Sequence, residues 1–266
     1  LNELMGESET TEEPTAEADT TALSAIEVPK NIDMTLNASF NKILFQKMVL
    51  EQVKGKLVVA DGAVRMTPLS LKAFGGTMVA NGTYSTAQNA LQPQVNFDLD
   101  IQKASFEKTF DQLDMVKQIV PIFAKTGGTY SVQFDLKSAL DSQMSPDLNT
   151  LTAQGVIQSN DIQLQNIEVF SQLATLLKND KLRNIEAKDL KISFAIADGK
   201  VKTSPFDIKM GNITMNLSGV TGLDQTIDYT AKINIPGAGA LSNVSATIGG
   251  TFTKPSIKLN TEEVVK

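Results

Sequence analysis

Beyond residue 26, apolar and polar residues alternate along most of the chain. "VNFDLDI" sets Val95, Phe97, Leu99 and Ile101 on one side and Asn96, Asp98 and Asp100 on the other. "YSVQFDLK" does the same with Tyr130, Val132, Phe134 and Leu136, and "IDYTAKINI" with Ile227, Tyr229, Ala231, Ile233 and Ile235. A period of two places successive side chains on opposite faces, so each segment predicts a strand with one dry and one wet face. Asp-Gly, Asn-Gly and Gly-Gly pairs separate the segments at short spacing, as in an antiparallel meander. About fourteen strands follow from the alternation and the turn signals.

One pattern occurs twice. Residues 60–84 and 197–220 each contain an Asp-Gly pair (Asp61-Gly62, Asp198-Gly199), then a proline (Pro68, Pro205), then a glycine (Gly82, Gly219) at matching spacing. Glycine accepts positive φ and aspartate tolerates it, so each pair suits a hairpin turn. Proline has no N–H to give a ladder, so Pro68 and Pro205 predict a bulge, bend or edge. Gly75-Gly76 and Gly211-Asn212 predict the next turns. Residues 50–84 and 187–220 thus read as two copies of one meander of about three strands.

Two segments have helical periodicity instead. "ASFEKTFDQLDMVKQIVPIF" brings Phe106, Phe110 and Leu113 to one side, with Ser105 as the N-cap and Pro121 as the stop. "NIEVFSQLATLLKND" brings Phe170, Leu173 and Leu177 together, with Asn166 as the N-cap and Lys178 in the last turn. Both are expected to lie as lids on the apolar face of the sheet. Lys and Arg flank them too sparsely to favour helices lying on a membrane surface.

The expected fold is mainly β with a few α-helices. It is a long antiparallel meandering sheet, curled or folded over like a half-barrel or groove, with two amphipathic helices on its apolar face. Each strand has about four inward apolar side chains, worth about 1.5–3 kcal/mol apiece when removed from water. A helix is about 10 Å wide and strands lie about 4.8 Å apart, so two helices cover about four strands. The rest of the face must curl on itself, pack against a second sheet, or hold an apolar guest.

Composition narrows the chemistry. The 266 residues include no histidine and no cysteine, which removes the commonest general base and metal ligand, thiolate nucleophiles and disulfides. No catalytic spacing, phosphate-binding loop or dinucleotide fingerprint is present, so neither an enzyme nor a cofactor or metal site is expected. The formal charge of −6 is concentrated in residues 1–25, which hold seven acids and no base; residues 26–266 hold 23 acids and 24 bases. Such a near-neutral body lacks the basic face that nucleic acid requires. The acidic segment reads as a linker without a core of its own, and residues 26–266 as one β domain. The chain has no run of 18 apolar residues and begins at Leu1, so any membrane anchor is expected upstream of this sequence.

The alternating strands, the Asp-Gly turns and the Gly-ended strands, in "VPKNIDMTLNASFNKILFQKMVLEQVKGKLVVADGAVRMTPLSLKAFGGTMVANGTY" (28–84), "GGTYSVQFDLKS" (127–138), residues 192–236 and "GGTFTKPSIKLN" (249–260), resemble the C-terminal region of the AsmA family. That family is related to TamB and to bridge-like lipid-transfer proteins. The resemblance spans nearly everything after the linker and brings no catalytic residues. It implies a periplasmic domain of Gram-negative bacteria, anchored in the inner membrane, that serves outer-membrane biogenesis by binding or conducting phospholipid along an apolar β-groove. The groove would be lined by Val95, Phe97, Leu99, Ile101, Tyr130, Val132, Phe134 and Leu136. The alternative is an interaction module that contacts other envelope proteins, and modulates outer-membrane protein assembly, without binding lipid. Its exposed edge could be "GTFTKPSIKLN", blunted by Pro255.

Overall fold

The alternating segments are strands, and they pair in chain order. A computed structural model of the protein describes residues 25–261. The predicted acidic linker, apart from Ala25, therefore lies outside the described residues, as do residues 262–266. The strands are β1 (Asp33–Phe45), β2 (Met48–Ala60), β3 (Ala63–Ala73), β4 (Gly76–Ser85), β5 (Gln94–Ser105), β6 (Thr126–Gly127), β7 (Thr129–Ala139) and β8 (Thr152–Ser159). They continue with β9 (Ile162–Leu164), β10 (Ile185–Ala187), β11 (Leu190–Ala197), β12 (Lys200–Met210), β13 (Ile213–Gly222), β14 (Ile227–Asn234), β15 (Asn243–Gly250) and β16 (Pro255–Thr261). Thirteen of them form one open, wholly antiparallel sheet in the order β1-β2-β3-β4-β5-β7-β8-β11-β12-β13-β14-β15-β16. The short β10, β9 and β6 form a second sheet.

The register keeps one apolar face continuous. Residues directly opposite one another share a face. One row runs Leu36, Leu57, Met66, Gly82, Phe97, Leu136, Ala153, Ile196, Val201, Thr221 and Ile227, from β1 to β14. The next row contains Leu99, Phe134, Gly155, Phe194, Thr203, Gly219, Tyr229 and Ile248. Glycine sits opposite a ring three times: Gly82 faces Phe97, Gly155 faces Phe134 and Gly219 faces Tyr229. A Cβ on Gly219 would come within 2.3 Å of the Asp228 carbonyl oxygen and 2.5 Å of the Tyr229 ring. Each ring thus occupies space that a side chain would otherwise fill.

Both copies of the repeated pattern fold alike, as β2-β3-β4 and β11-β12-β13. Asp61-Gly62 and Asp198-Gly199 have φ of 53° and 73°, and 50° and 67°, as a two-residue hairpin turn with positive φ at both positions requires. The ladder shifts register between Met66 and Leu69 and between Thr203 and Phe206, so each proline lies in a bulge. Gly211-Asn212 is a turn, as expected. The corresponding turn in the first copy is Phe74-Gly75, not Gly75-Gly76, because β4 already begins at Gly76. Phe74 takes φ 54° there, a left-handed conformation costly for a bulky residue, and its ring is buried in the core.

Both helical segments are excursions from the sheet onto its apolar face. The first, between β5 and β7, holds α1 (Phe106–Gln112), α2 (Asp114–Ile119) and a 3₁₀ turn at Pro121–Lys125. Ser105 caps it as predicted, accepting from the Lys108 N–H at 3.3 Å. The single helix expected here is broken at Leu113, whose backbone is extended. The break lets the excursion serve two cores: Phe106 packs in the larger apolar cluster, and Ile119 in a smaller one with Leu136, Leu140 and Leu151. The second excursion, between β8 and β11, holds α3 (Glu168–Leu176). Its N-cap is Ile167, not Asn166, because Asn166 has φ 54° where a cap needs extended backbone. Leu164 pairs with both Thr126 and Ile185, so the small sheet stitches the excursions into one lid.

Replacing Gly219 with valine is expected to lower unfolding stability by about 1–3 kcal/mol, since the ladder must spread to admit the side chain. A urea midpoint equal to that of the unsubstituted protein would show that the ring does not need the space.

Candidate functional site

Between the curled sheet and its lid lies a partly open cavity of about 370 Å³. Ile101 on β5 and Ile248 on β15 both line it. On a flat sheet seven strand spacings, about 34 Å, would separate those strands; the sheet therefore wraps around the space. The floor includes Phe134, Ile157, Ile192, Phe194, Ile196 and Val201, and the roof Met115, Val116, Ile119, Val120, Ile122 and Phe123 from the first excursion. Ile167, Val169 and Phe170 close one side.

The few polar groups on this wall are largely spent on one another or on backbone carbonyls. Thr109 Oγ1 lies 2.8 Å from the Ser105 carbonyl and 2.8 Å from the Tyr130 hydroxyl, and bonds to both. Thr126 Oγ1 donates to the Ile122 carbonyl at 2.7 Å, and Ser159 Oγ to the Thr129 carbonyl at 2.8 Å. Thr221 and Tyr229 pair their hydroxyls at 3.1 Å. A water needs two to four polar partners, and a cavity without them stays dry and takes up apolar molecules. Phe106, Phe123 and Tyr130 pack edge-on or tilted against one another at one end, with ring centroids 4.8–5.6 Å apart. Burial there pushes the Tyr130 hydroxyl up to about 12, against the smaller opposing effect of its bond to Thr109.

The predicted residues divide by position. Ile101, Tyr130, Val132, Phe134 and Leu136 line the cavity, as do Phe106, Leu113 and Phe170 from the lid. Val95 is buried in the smaller cluster against its ladder partner Tyr84, Phe97 lies over Gly82, and Leu99 is half-buried beside Ala80; none of the three reaches the cavity. Leu173 and Leu177 are sealed beneath α3. Phe110 faces away from the sheet into a polar cleft, with Lys117 Nζ 5.8 Å from its ring centre. The sequence reading missed the second half of the floor, above all Ile192, Phe194 and Ile196. Their alternation in "LKISFAIA" is as regular as that of the strands selected.

The lid is tied to the first hairpin by Lys47 and Asp114, 2.9 Å apart, and Lys117 reaches the same carboxylate at 2.7 Å. These two bonds hold the Asp114 carboxyl below its usual range. The pair is exposed, so its contribution is positional more than energetic. Among the described residues no group of three His, Cys, Asp or Glu side chains could hold a metal ion, and no helix is long and apolar enough to cross a membrane. No protein-family model, curated protein or solved structure matches the chain.

A tyrosine that ionises less readily when folded loses stability as pH rises. The Tyr130 contribution is full below pH 10 and is lost between about pH 10 and 12, a span worth about 2–3 kcal/mol. Absorbance titration is expected to find one of the three tyrosines titrating near pH 12, and Tyr130→Phe to remove that step and flatten the fall in stability. The same alkaline profile in both proteins would count against the buried hydroxyl.

Proposed function

We propose that this protein is a non-catalytic domain that holds or conducts phospholipid by its acyl chains along the concave face of the sheet. The observation that carries the reading is the partly open, apolar space between floor and lid. Its volume of about 370 Å³ falls within the usual range of small-molecule sites. Its wall has apolar area in abundance and hardly any free polar group to fix the orientation of a polar substrate, which suits a flexible hydrocarbon. The resemblance of the strand pattern to the AsmA family supports the same reading. It extends the proposal to a periplasmic domain, anchored to the inner membrane by a segment outside this sequence, acting in outer-membrane biogenesis.

A second reading, an interaction module of the cell envelope, has its own support at β1. Among the described residues, Met34, Leu36, Phe40 and Leu44 of β1 account for four of the nine exposed large hydrophobics, and Ile32 just before the strand is a fifth. Met34, Leu36 and Phe40 continue the inner rows, opposite Val59, Leu57 and Val53. The strand is an edge of the sheet, has no proline and holds one lysine, Lys42. A long apolar edge invites pairing with another strand. The Pro255 edge at β16, expected from the sequence, is shorter and lies beside α3.

The two readings separate on one variant. Phe194 is half-buried and lines the cavity far from β1. Phe194→Asp is expected to lower uptake of fluorescent phospholipid from vesicles about tenfold or more, because a carboxylate in the floor cannot be desolvated by an acyl chain. The folded protein should persist, as judged by circular dichroism. Uptake equal to that of the unsubstituted protein, or no uptake by either, would remove the carrier reading and leave the edge strand as the working surface.

A further inference from the structure

The edge strand β1 leaves uncovered what the other strands bury. Met34, Leu36 and Phe40 extend the inner rows, yet 41–46% of each is exposed. With Ala38 they alternate with Asp33, Thr35, Asn37 and Ser39 on the outer face. The β1–β2 ladder is unbroken from Asp33 to Phe40, then passes over Asn41 where Gln52 takes φ 51°. Beyond that kink Ile43 packs against the main core. Proline and lysine are the usual protections of an edge, and Asp33–Phe40 contains neither. The other edge, β16, begins with Pro255 and lies beside α3. We propose that β1 pairs antiparallel with β1 of a second copy of this chain, about a two-fold axis at Asn37, and joins two thirteen-stranded sheets into one. This deepens the edge-strand reading, on which it rests, and is independent of what the hollow holds.

The stretch is complementary to its own reverse. With Asn37 opposite Asn37 of the second copy, Met34 faces Phe40, Leu36 faces Ala38 and Thr35 faces Ser39. Opposite residues share a face, so apolar meets apolar on the concave side and polar meets polar on the convex side. The pairs suit each other: a thioether on a ring, a large side chain beside a small one, amide against amide. Asp33 and Lys42, the two charges of β1, stand at opposite ends of the strand. Antiparallel pairing sets Asp33 against Asn41 with Lys42 of the second copy next to it, and does so twice. Parallel pairing would set Asp33 on Asp33. A slip of two residues carries the pairing into the kink at Asn41 in one direction and shortens it in the other. About 30 Å of paired strand, with side chains on both faces, buries roughly 1,000 Å² in total, near the lower limit of a specific interface. The dimer is therefore expected to form in the micromolar range. The contact uses the same patch on both copies, so assembly closes at two.

The test is sedimentation velocity of the full chain across the micromolar range, joined to disulfide trapping. A monomer–dimer equilibrium is expected. Phe40→Asp is expected to weaken it about a hundredfold or more, since the two-fold axis buries two carboxylates at once. Phe40 is exposed, so circular dichroism should match the unsubstituted protein. The chain has no cysteine, so an introduced thiol is the only one. Asn37→Cys is expected to give a covalent dimer on mild oxidation, because residues facing each other across a ladder lie within disulfide reach. Ser39→Cys is expected to stay unlinked, its counterpart lying four residues away, about 14 Å. A link at 39 and not at 37 would overturn the pairing. A monomer at every concentration would overturn the second copy as the partner; if that monomer sediments with phospholipid vesicles and Phe40→Asp abolishes this, the edge meets a membrane instead. A dimer unmoved by Phe40→Asp and unlinked through Asn37→Cys would place the contact elsewhere and remove the edge strand as a working surface.

Discussion

The concave face of the sheet is apolar across all thirteen strands, and the lid above it is small. Everything else in the molecule answers to that mismatch. About four inward side chains per strand, at about 1.5–3 kcal/mol each, make a wet face as costly as a whole domain's net stability. The chain responds in three ways. It curls the sheet until β5 and β15 border one space, it sends two excursions across the hollow, and it stitches them together through Thr126, Leu164 and Ile185. The hollow that remains has an apolar wall, whose few polar groups are hydrogen-bonded within the protein.

This arrangement places hydrogen bonding and hydrophobic burial in separate directions. Along the sheet, each strand is held by its neighbours, and register is fixed by the alternation, since a slip of one residue would turn every side chain to the wrong face. Across the hollow there are few polar contacts to lock floor against roof. The tether from Lys47 to Asp114 is exposed, Thr109 on the lid bonds to Tyr130 on the floor, and much of the rest is packing. A lid held this way leaves the ladder of the sheet uninterrupted. The glycines opposite Phe97, Phe134 and Tyr229 give the inner rows the small–large complementarity that close packing on a curved surface demands.

Much of the fold was legible because the period-two pattern and the turn chemistry act locally. Asp61-Gly62, Asp198-Gly199, Pro68 and Pro205 each took the role that their backbone restrictions dictate. The features that were not legible depend on tertiary context. Nothing local marks Leu113 as a break; it breaks the helix because Phe106 and Ile119 must reach different cores. Phe74 adopts a left-handed turn since its ring is held in the interior. The site was half legible for the same reason. Alternation distinguishes inner from outer residues, so Phe134 and Leu136 were placed on the inner face. It does not say which inner residues are sealed, as Val95 is, and which border empty space, as Phe194 does. That distinction is made by where the lid lies.

The most direct measurement exploits adjacent residues on opposite faces. Ile157 lines the hollow and Val156 faces outward; Phe194 and Ala195 repeat the pair on the next strand. A photoreactive amino acid placed at each of the four positions, irradiated with phospholipid vesicles present, reports where hydrocarbon lies. Lipid adducts are predicted at 157 and 194 and not at 156 and 195. Adducts at all four positions, or at none, would contradict an acyl chain within the curl of the sheet.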